Sequence, residues 1–355
     1  MQVSVIGAGG IGSAIAAYLA RAGHKVTLVF KQKEAANAVR AKGLHLTGVQ
    51  TFTAQVDVVE WPAPIPPSEL LVVAVKAYDT CEAMRCASGV PIDKALSVQN
   101  GLQKEEMLAE FLGEGPAIGS VIEVTAMNRG GGCIFNPDIS PSHMGELDGR
   151  GSSRIREIAR VFTEAGIPTE PTTEIRSVLW TKTCQWVATS LLSVMSGYPY
   201  PLIFSTEWLA PLFVKIVRDC AAVASADGAR LVEAPSLFVN YLVDGTTERA
   251  CHRLQEKGKE VAAKWGPQYK ASMLLDVERR SKTEFEEIVG YVFRKAREHD
   301  IETPGLDFAI RQVRNFTGSA LGSSAKIFPT AERPIADSRA TGTRRSGESG
   351  PGELY

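Results

Sequence analysis

The chain has 355 residues, 44% of them hydrophobic and 22% charged, with a formal net charge of −1. That length allows two domains and a substantial core, and the near-neutral balance provides no general field toward nucleic acid or an anionic membrane. No stretch reaches the roughly 18 apolar residues of a membrane span, and the N-terminus lacks the layout of a secretory signal, so a cytoplasmic protein with no membrane partner is expected. Six cysteines without C-x-x-C spacing and five scattered histidines read as reduced thiols and no metal site.

In chain order, an apolar run from Val3 to Ile6 enters Gly7-Ala-Gly-Gly-Ile-Gly12, and apolar residues at helical period follow through Ile15, Tyr18, Leu19 and Ala22. Gly23 stops that helix and a second apolar run occupies Val26 to Phe30, which makes one right-handed β-α-β unit. In such a unit the first glycine permits the tight turn, the second lets backbone reach a pyrophosphate, and the third lets helix pack on strand. The backbone of Gly7, Gly9, Gly10, Ile11 and Gly12 is therefore the candidate dinucleotide cradle, with the dipole of the helix N-terminus behind it. A site for NAD usually has Asp or Glu at the end of the second strand, where it holds the ribose 2′-OH. Here the strand ends Phe30-Lys31-Gln32-Lys33 with no carboxylate before Glu34. Two cations there favour a 2′-phosphate, so NADP(H) is the expected cofactor.

Leu70 to Val75 is a continuous buried strand of the parallel-sheet kind, and Ala95 to Val98 is another. They bring Lys76 and Asn100 to their carboxyl ends, the edge of a doubly wound sheet where ligands bind. Ala117 to Thr125, a short strand near Cys133 and a helix from Ile155 to Ala165 complete an α/β domain spanning 1–171. From 172 to 316 the pattern becomes helical, over Glu174–Met195, Trp208–Ala229, Gln268–Arg280 and Thr283–His299. The expected fold is thus an N-terminal Rossmann-like dinucleotide-binding domain plus an all-α C-terminal domain, with the active site in the cleft between them. Residues 317–355, rich in Gly, Ser, Pro, Thr and Arg, are expected to remain a disordered tail.

Within the helical half, Lys182, Trp186 and Ser190 stand at i, i+4 and i+8 on one helix face. Pattern alone leaves Lys182 either snorkelling to solvent or lining a cleft. Farther on, Asp276, Glu278, Arg279, Arg280 and Lys282 read as a solvated helix face, and Glu284 as a first-turn carboxylate of the next helix.

The order GxGxxG, V-K-A-Y, Q-N-G-L, L-W-T-K, S-M-L-L-D-V and K-T-E resembles the ketopantoate reductase family, the 2-dehydropantoate 2-reductases of pantothenate biosynthesis, from residue 1 to about 315. The resemblance implies NADPH-dependent reduction of a small-molecule 2-oxo acid to a 2-hydroxy acid by a monomer or homodimer. It makes Lys182 the general acid and has Glu284 hold the substrate hydroxyl. It assigns Asn100 to nicotinamide and substrate, Ser272 to the substrate carboxylate, and Lys31 and Lys76 to the cofactor phosphates. The family usually has Asn four and eight residues after the lysine, where this chain has Trp186 and Ser190. An indole offers one N–H and a broad apolar face in place of an amide. That departure points to a pocket for a bulkier or aromatic 2-oxo acid, with Trp186 and Ser190 as substrate contacts, or to a non-catalytic NADPH sensor. The Tyr291-x-x-x-Lys295 spacing of short-chain dehydrogenases lies too late in the chain to count.

Overall fold

Eight strands form the main sheet: β1 (Gln2–Ile6), β2 (Lys25–Phe30), β5 (Asp57–Glu60), β6 (Leu70–Val73), β7 (Ala95–Ser97), β8 (Ala117–Val121), β11 (Ser142–Gly145) and β12 (Thr169–Pro171). Four others, β3 (Leu44–Gly48), β4 (Phe52–Ala54), β9 (Val124–Asn128) and β10 (Cys133–Ile139), form a second sheet. These elements come from a computed structural model that describes residues 1–113, 115–234 and 236–317, the side chains of 316 and 317 excepted. The expected disordered tail falls almost wholly outside them.

The main sheet runs β12-β11-β8-β7-β6-β1-β2-β5. Strands β1, β2, β5, β6, β7 and β8 are parallel, and β11 joins β8 antiparallel. The chain winds outward from β1 through β2 to β5, then returns to the other side of β1 as β6. The strand order reverses between β1 and β6, and an open α/β sheet offers its ligand crevice at the carboxyl ends beside such a reversal. Val3, Val5, Leu70, Leu71, Val72 and Val73 are fully buried, which agrees with a sheet covered on both faces.

On one face lies α1 (Gly10–Arg21), with Ala14 through Leu19 buried. The second sheet covers it, through a Tyr18 hydroxyl bond to Asn136 (2.9 Å) and the Arg21 guanidinium over the Phe52 ring. The remaining helices of this half are α2 (Lys33–Lys42), α3 (Thr80–Ala83), α4 (Gln103–Leu112) and α5 (Ser153–Ala165).

The second half is helical: α6 (Ile175–Ser196), α7 (Tyr200–Ser205), α8 (Leu209–Ala226), α9 (Thr247–Trp265), α10 (Ser272–Glu278), α11 (Phe285–Glu298) and α12 (Pro304–Thr317). Helix α6 has buried residues nearly all round, as expected of a central helix wrapped by others, and its Cys184, Val187, Leu191 and Leu192 join Phe204, Phe213, Val217 and Val289 in one core. Helix α9 is absent from the sequence-derived order because only Ala250, Leu254 and Gly258 along its 19 residues are buried. The Gln268–Arg280 expectation shrinks to the seven residues of α10. Glu284 precedes α11 as its N-cap residue and is not in its first turn.

Candidate active site

The reversal point opens into a cleft of about 570 Å³. Its floor at one end is the glycine loop. Gly7 has φ +113°, a left-handed value that glycine adopts freely. A Cβ at Gly12 would lie 2.1 Å from the Gly7 carbonyl oxygen, so only glycine lets α1 pack this closely on the turn. A Cβ on Gly9 would instead meet nothing within 4 Å, because this residue faces the cleft. Gly9 is also the N-cap of α1 and supplies no side-chain cap, which leaves the first helical N–H groups for a ligand. Asn128 of β9 steadies the loop by donating to the Ala8 carbonyl (3.1 Å). An uncapped helix end beside a side-chain-free approach fits the pyrophosphate of a dinucleotide.

Gly7, Gly9, Gly10, Ile11, Lys31, Lys76, Asn100, Ser272 and Glu284 all line this cleft. Gly12 lies beneath it. Four strand ends and the starts of three helices thus bring together residues separated by up to 277 positions, between Gly7 and Glu284.

The lysine of the V-K-A-Y stretch has a different setting from a free phosphate ligand. Lys76 Nζ donates to Asp276 (2.8 Å) and to Glu284 (3.0 Å), and the Ala77 backbone N–H donates to the other Glu284 oxygen (3.0 Å). Burial works against the ammonium of Lys76, yet the Glu284 and Asp276 carboxylates outweigh it and its pKa rises. The expectation of a solvated face at Asp276 is corrected here: its side chain is only 16% exposed and is held in this ion-paired triad. Glu284, 6% exposed, is fixed by two donor contacts from the α/β half.

Lys182 is not in the lining of that cleft. Its Nζ donates to the Ile122 carbonyl (2.7 Å) and lies 2.8 Å from Glu123 Oε1. Ile122 and Glu123 directly follow β8, whose parallel neighbour β7 leads to Asn100, so Lys182 stands at the same carboxyl edge of the sheet. Its side chain is 22% exposed, a lysine docked on backbone and not extended into solvent. Trp186 packs half-buried against the helical core, and Ser190, 1% exposed, is enclosed within the protein. Neither lines the cleft.

Profiles of the ketopantoate reductase PanE/ApbA family match residues 3–149, and those of its C-terminal region match residues 174–317. The chain belongs to the ketopantoate reductase family. A 2-dehydropantoate 2-reductase of Pyrococcus abyssi is 27% identical over 305 residues, covering 86% of this chain and 94% of that one. The corresponding protein of Archaeoglobus fulgidus is 28% identical over 320 residues, covering 88% and 95%. Among solved structures, a ketopantoate reductase from Ralstonia eutropha superposes with TM-score 0.75 at 23% identity, covering 91% of this chain and all of that one. A D-mandelate dehydrogenase holding NADH and anilino(oxo)acetate gives 0.77 at 18% identity, covering 90% and 99%. At these identities the structural likeness establishes the fold of a ketopantoate reductase, and the family is one of oxidoreductases.

Three carboxylates of this site have lysine partners that the sequence does not announce. Glu123 follows an apolar strand, Asp276 sits in a charge-rich run, and Glu82 lies on a four-residue helix at the cleft wall. Each is identified only by the lysine that the fold places beside it.

Proposed function

We propose that this ketopantoate reductase family member reduces a 2-oxo acid to the 2-hydroxy acid with NADPH, ketopantoate being the first candidate substrate. The observation that supports it most is the single cleft that runs from an uncapped glycine-loop helix end to Asn100, Ser272 and a rigidly held Glu284. Reduced nicotinamide bound there supplies a hydride to the carbonyl carbon. The α1 N-terminus and the Gly9–Ile11 backbone hold the pyrophosphate, and Lys31 meets a 2′-phosphate. Lys182 gives a proton from Nζ to the oxygen on which negative charge develops. Glu123 and the Ile122 carbonyl hold that ammonium in place between reactions. Glu284, fixed by Lys76 and the Ala77 N–H, accepts from a substrate hydroxyl. The Ser272 hydroxyl takes the substrate carboxylate, and the Asn100 amide orients the reacting groups.

A second reading, a 2-oxo acid with a bulky or aromatic side chain, is favoured by the half-buried indole of Trp186 one turn beyond Lys182. Loss of reduced-nicotinamide absorbance, followed with ketopantoate beside aliphatic and aromatic 2-oxo acids, tests both. Best turnover with ketopantoate supports the first reading, and best turnover with an aromatic acid supports the second. Binding of NADPH without turnover of any acid overturns both and leaves a dinucleotide-binding sensor.

A further inference from the structure

The sequence offers three cations for the cofactor phosphates, Lys31, Lys33 and Lys76, and no carboxylate at the end of β2. The fold changes that count. Lys76 is committed to Asp276 and Glu284, and Lys33, the first residue of α2, is not in the cleft lining. Lys31 alone remains at the adenosine end, and it has a carboxylate beside it. Glu82 of α3 reaches across to place Oε2 3.6 Å from Lys31 Nζ. Its own backbone carbonyl accepts from the Trp61 indole (3.3 Å), which anchors α3 to the same wall, and Lys31 lies over the Trp61 ring at 5.8 Å. Lys31, Trp61 and Glu82 line the cleft together.

We infer that Glu82 is a specificity-determining residue for the dinucleotide. It competes with a 2′-phosphate for Lys31, accepts from a ribose 2′-OH, and makes the cleft take NADH as well as NADPH. The physical grounds are two. A carboxylate repels a 2′-phosphate and accepts a hydrogen bond from a 2′-hydroxyl, whichever element of the fold delivers it. The Lys31–Glu82 pair is also loose, with side chains 67% and 45% exposed, so either partner turns to a ligand at little cost. The inference rests on the dinucleotide reading of the cleft, not on the identity of the acid reduced.

The test measures dissociation constants of NADPH and NADH by fluorescence titration, without any second substrate, on the full chain and on Glu82→Ala and Lys31→Met. Glu82→Ala is expected to tighten NADPH and weaken NADH, each by about three- to fivefold, as suits one exposed charge contact. Lys31→Met is expected to weaken NADPH by a similar factor and leave NADH unchanged or tighter. Opposite shifts distinguish a specificity role from a structural one, which would move both affinities together. Parallel shifts in Glu82→Ala, or none, overturn the inference while leaving the dinucleotide site in place. Failure of the unaltered protein to bind either dinucleotide overturns the reading of the cleft and the inference with it.

Discussion

The two ends of the cleft are built in opposite ways. At the proposed dinucleotide end the site is main chain: six consecutive residues, Gly7 to Gly12, form turn, cap and first helical N–H groups. At the proposed carbonyl end the groups are side chains from five places in the chain: Asn100 after β7, Ser272 on α10, Glu284 before α11 and Lys76 after β6 line the cleft, and Lys182 on α6 stands outside that lining at the same sheet edge. Most of these charges arrive already paired, Lys182 with Glu123 and Lys76 with Asp276 and Glu284. A backbone site needs only local geometry, whereas a side-chain site needs the whole fold and a set of counter-charges to hold it. The two ends should therefore fail separately when altered.

The largest separation is expected from Lys182→Met. Removing the proposed proton donor should lower kcat by about 10²- to 10⁴-fold, the range for a general acid, while NADPH affinity stays within about twofold, because Lys182 is held on Ile122 and Glu123 after β8 and not at the glycine loop. A parallel loss of NADPH affinity would place Lys182 at both ends and break the comparison.

Lys104 and Glu105 lie behind the carbonyl end and tie β7 to β8. Lys104 Nζ, 2% exposed, donates to the carbonyls of Ser97 (2.7 Å) and Ser120 (2.6 Å) and pairs with Glu105 at 2.6 Å. Burial lowers the Lys104 pKa and raises that of Glu105, so each relies on the other for its charge. Lys104→Met alone should cost about 3–5 kcal/mol in urea unfolding, since it strands a buried carboxylate. Lys104→Met with Glu105→Leu should recover most of that loss, because replacing both charges leaves none uncompensated. Equal instability of single and double variants would show that the strand-end hydrogen bonds, not the charge pairing, carry the energy.

At the backbone end, Gly12→Ala tests geometry alone. Its Cβ would press on the Gly7 carbonyl, and the shift of α1 should cost about 1–3 kcal/mol of stability. Dinucleotide affinity should fall with it, while Lys182 and its partners stay in place. Unchanged melting and affinity would mean that the loop relaxes and the close approach is not needed.

The same contrast explains what could be read in advance. The β1-α1-β2 unit, the strands at Leu70 and Ala95 and the long α6 and α8 helices follow from apolar period, and each lies within a few residues of its expected bounds. The four-stranded second sheet escaped because its strands are short and pair over distances of up to about 90 residues, as β3 does with β10. The glycines pointed to the candidate cofactor end because each acts within its own turn. The motifs singled out Asn100, Ser272 and Glu284, which the fold brings to one cleft, and Lys182, which it leaves outside that lining, but nothing local showed that Lys76 would be held by two carboxylates or Lys31 faced by Glu82. Ion pairs between distant elements leave no period in a sequence.

Trp186 marks where the carbonyl end stops, and the smallest expected effect tests that boundary. It stands one turn after Lys182, yet it packs half-buried against the helical core. If it belongs to that core, Trp186→Phe keeps an apolar ring in place and should change stability by less than about 1.5 kcal/mol. The ratio of kcat/KM for ketopantoate to that for an aromatic 2-oxo acid should then move by less than about threefold, or about 0.65 kcal/mol. A swing of about tenfold, equivalent to 1.4 kcal/mol, would require the indole to touch the substrate side chain. The carbonyl end would then extend along α6 past Lys182, and the wall that selects the acid would be the helical core itself.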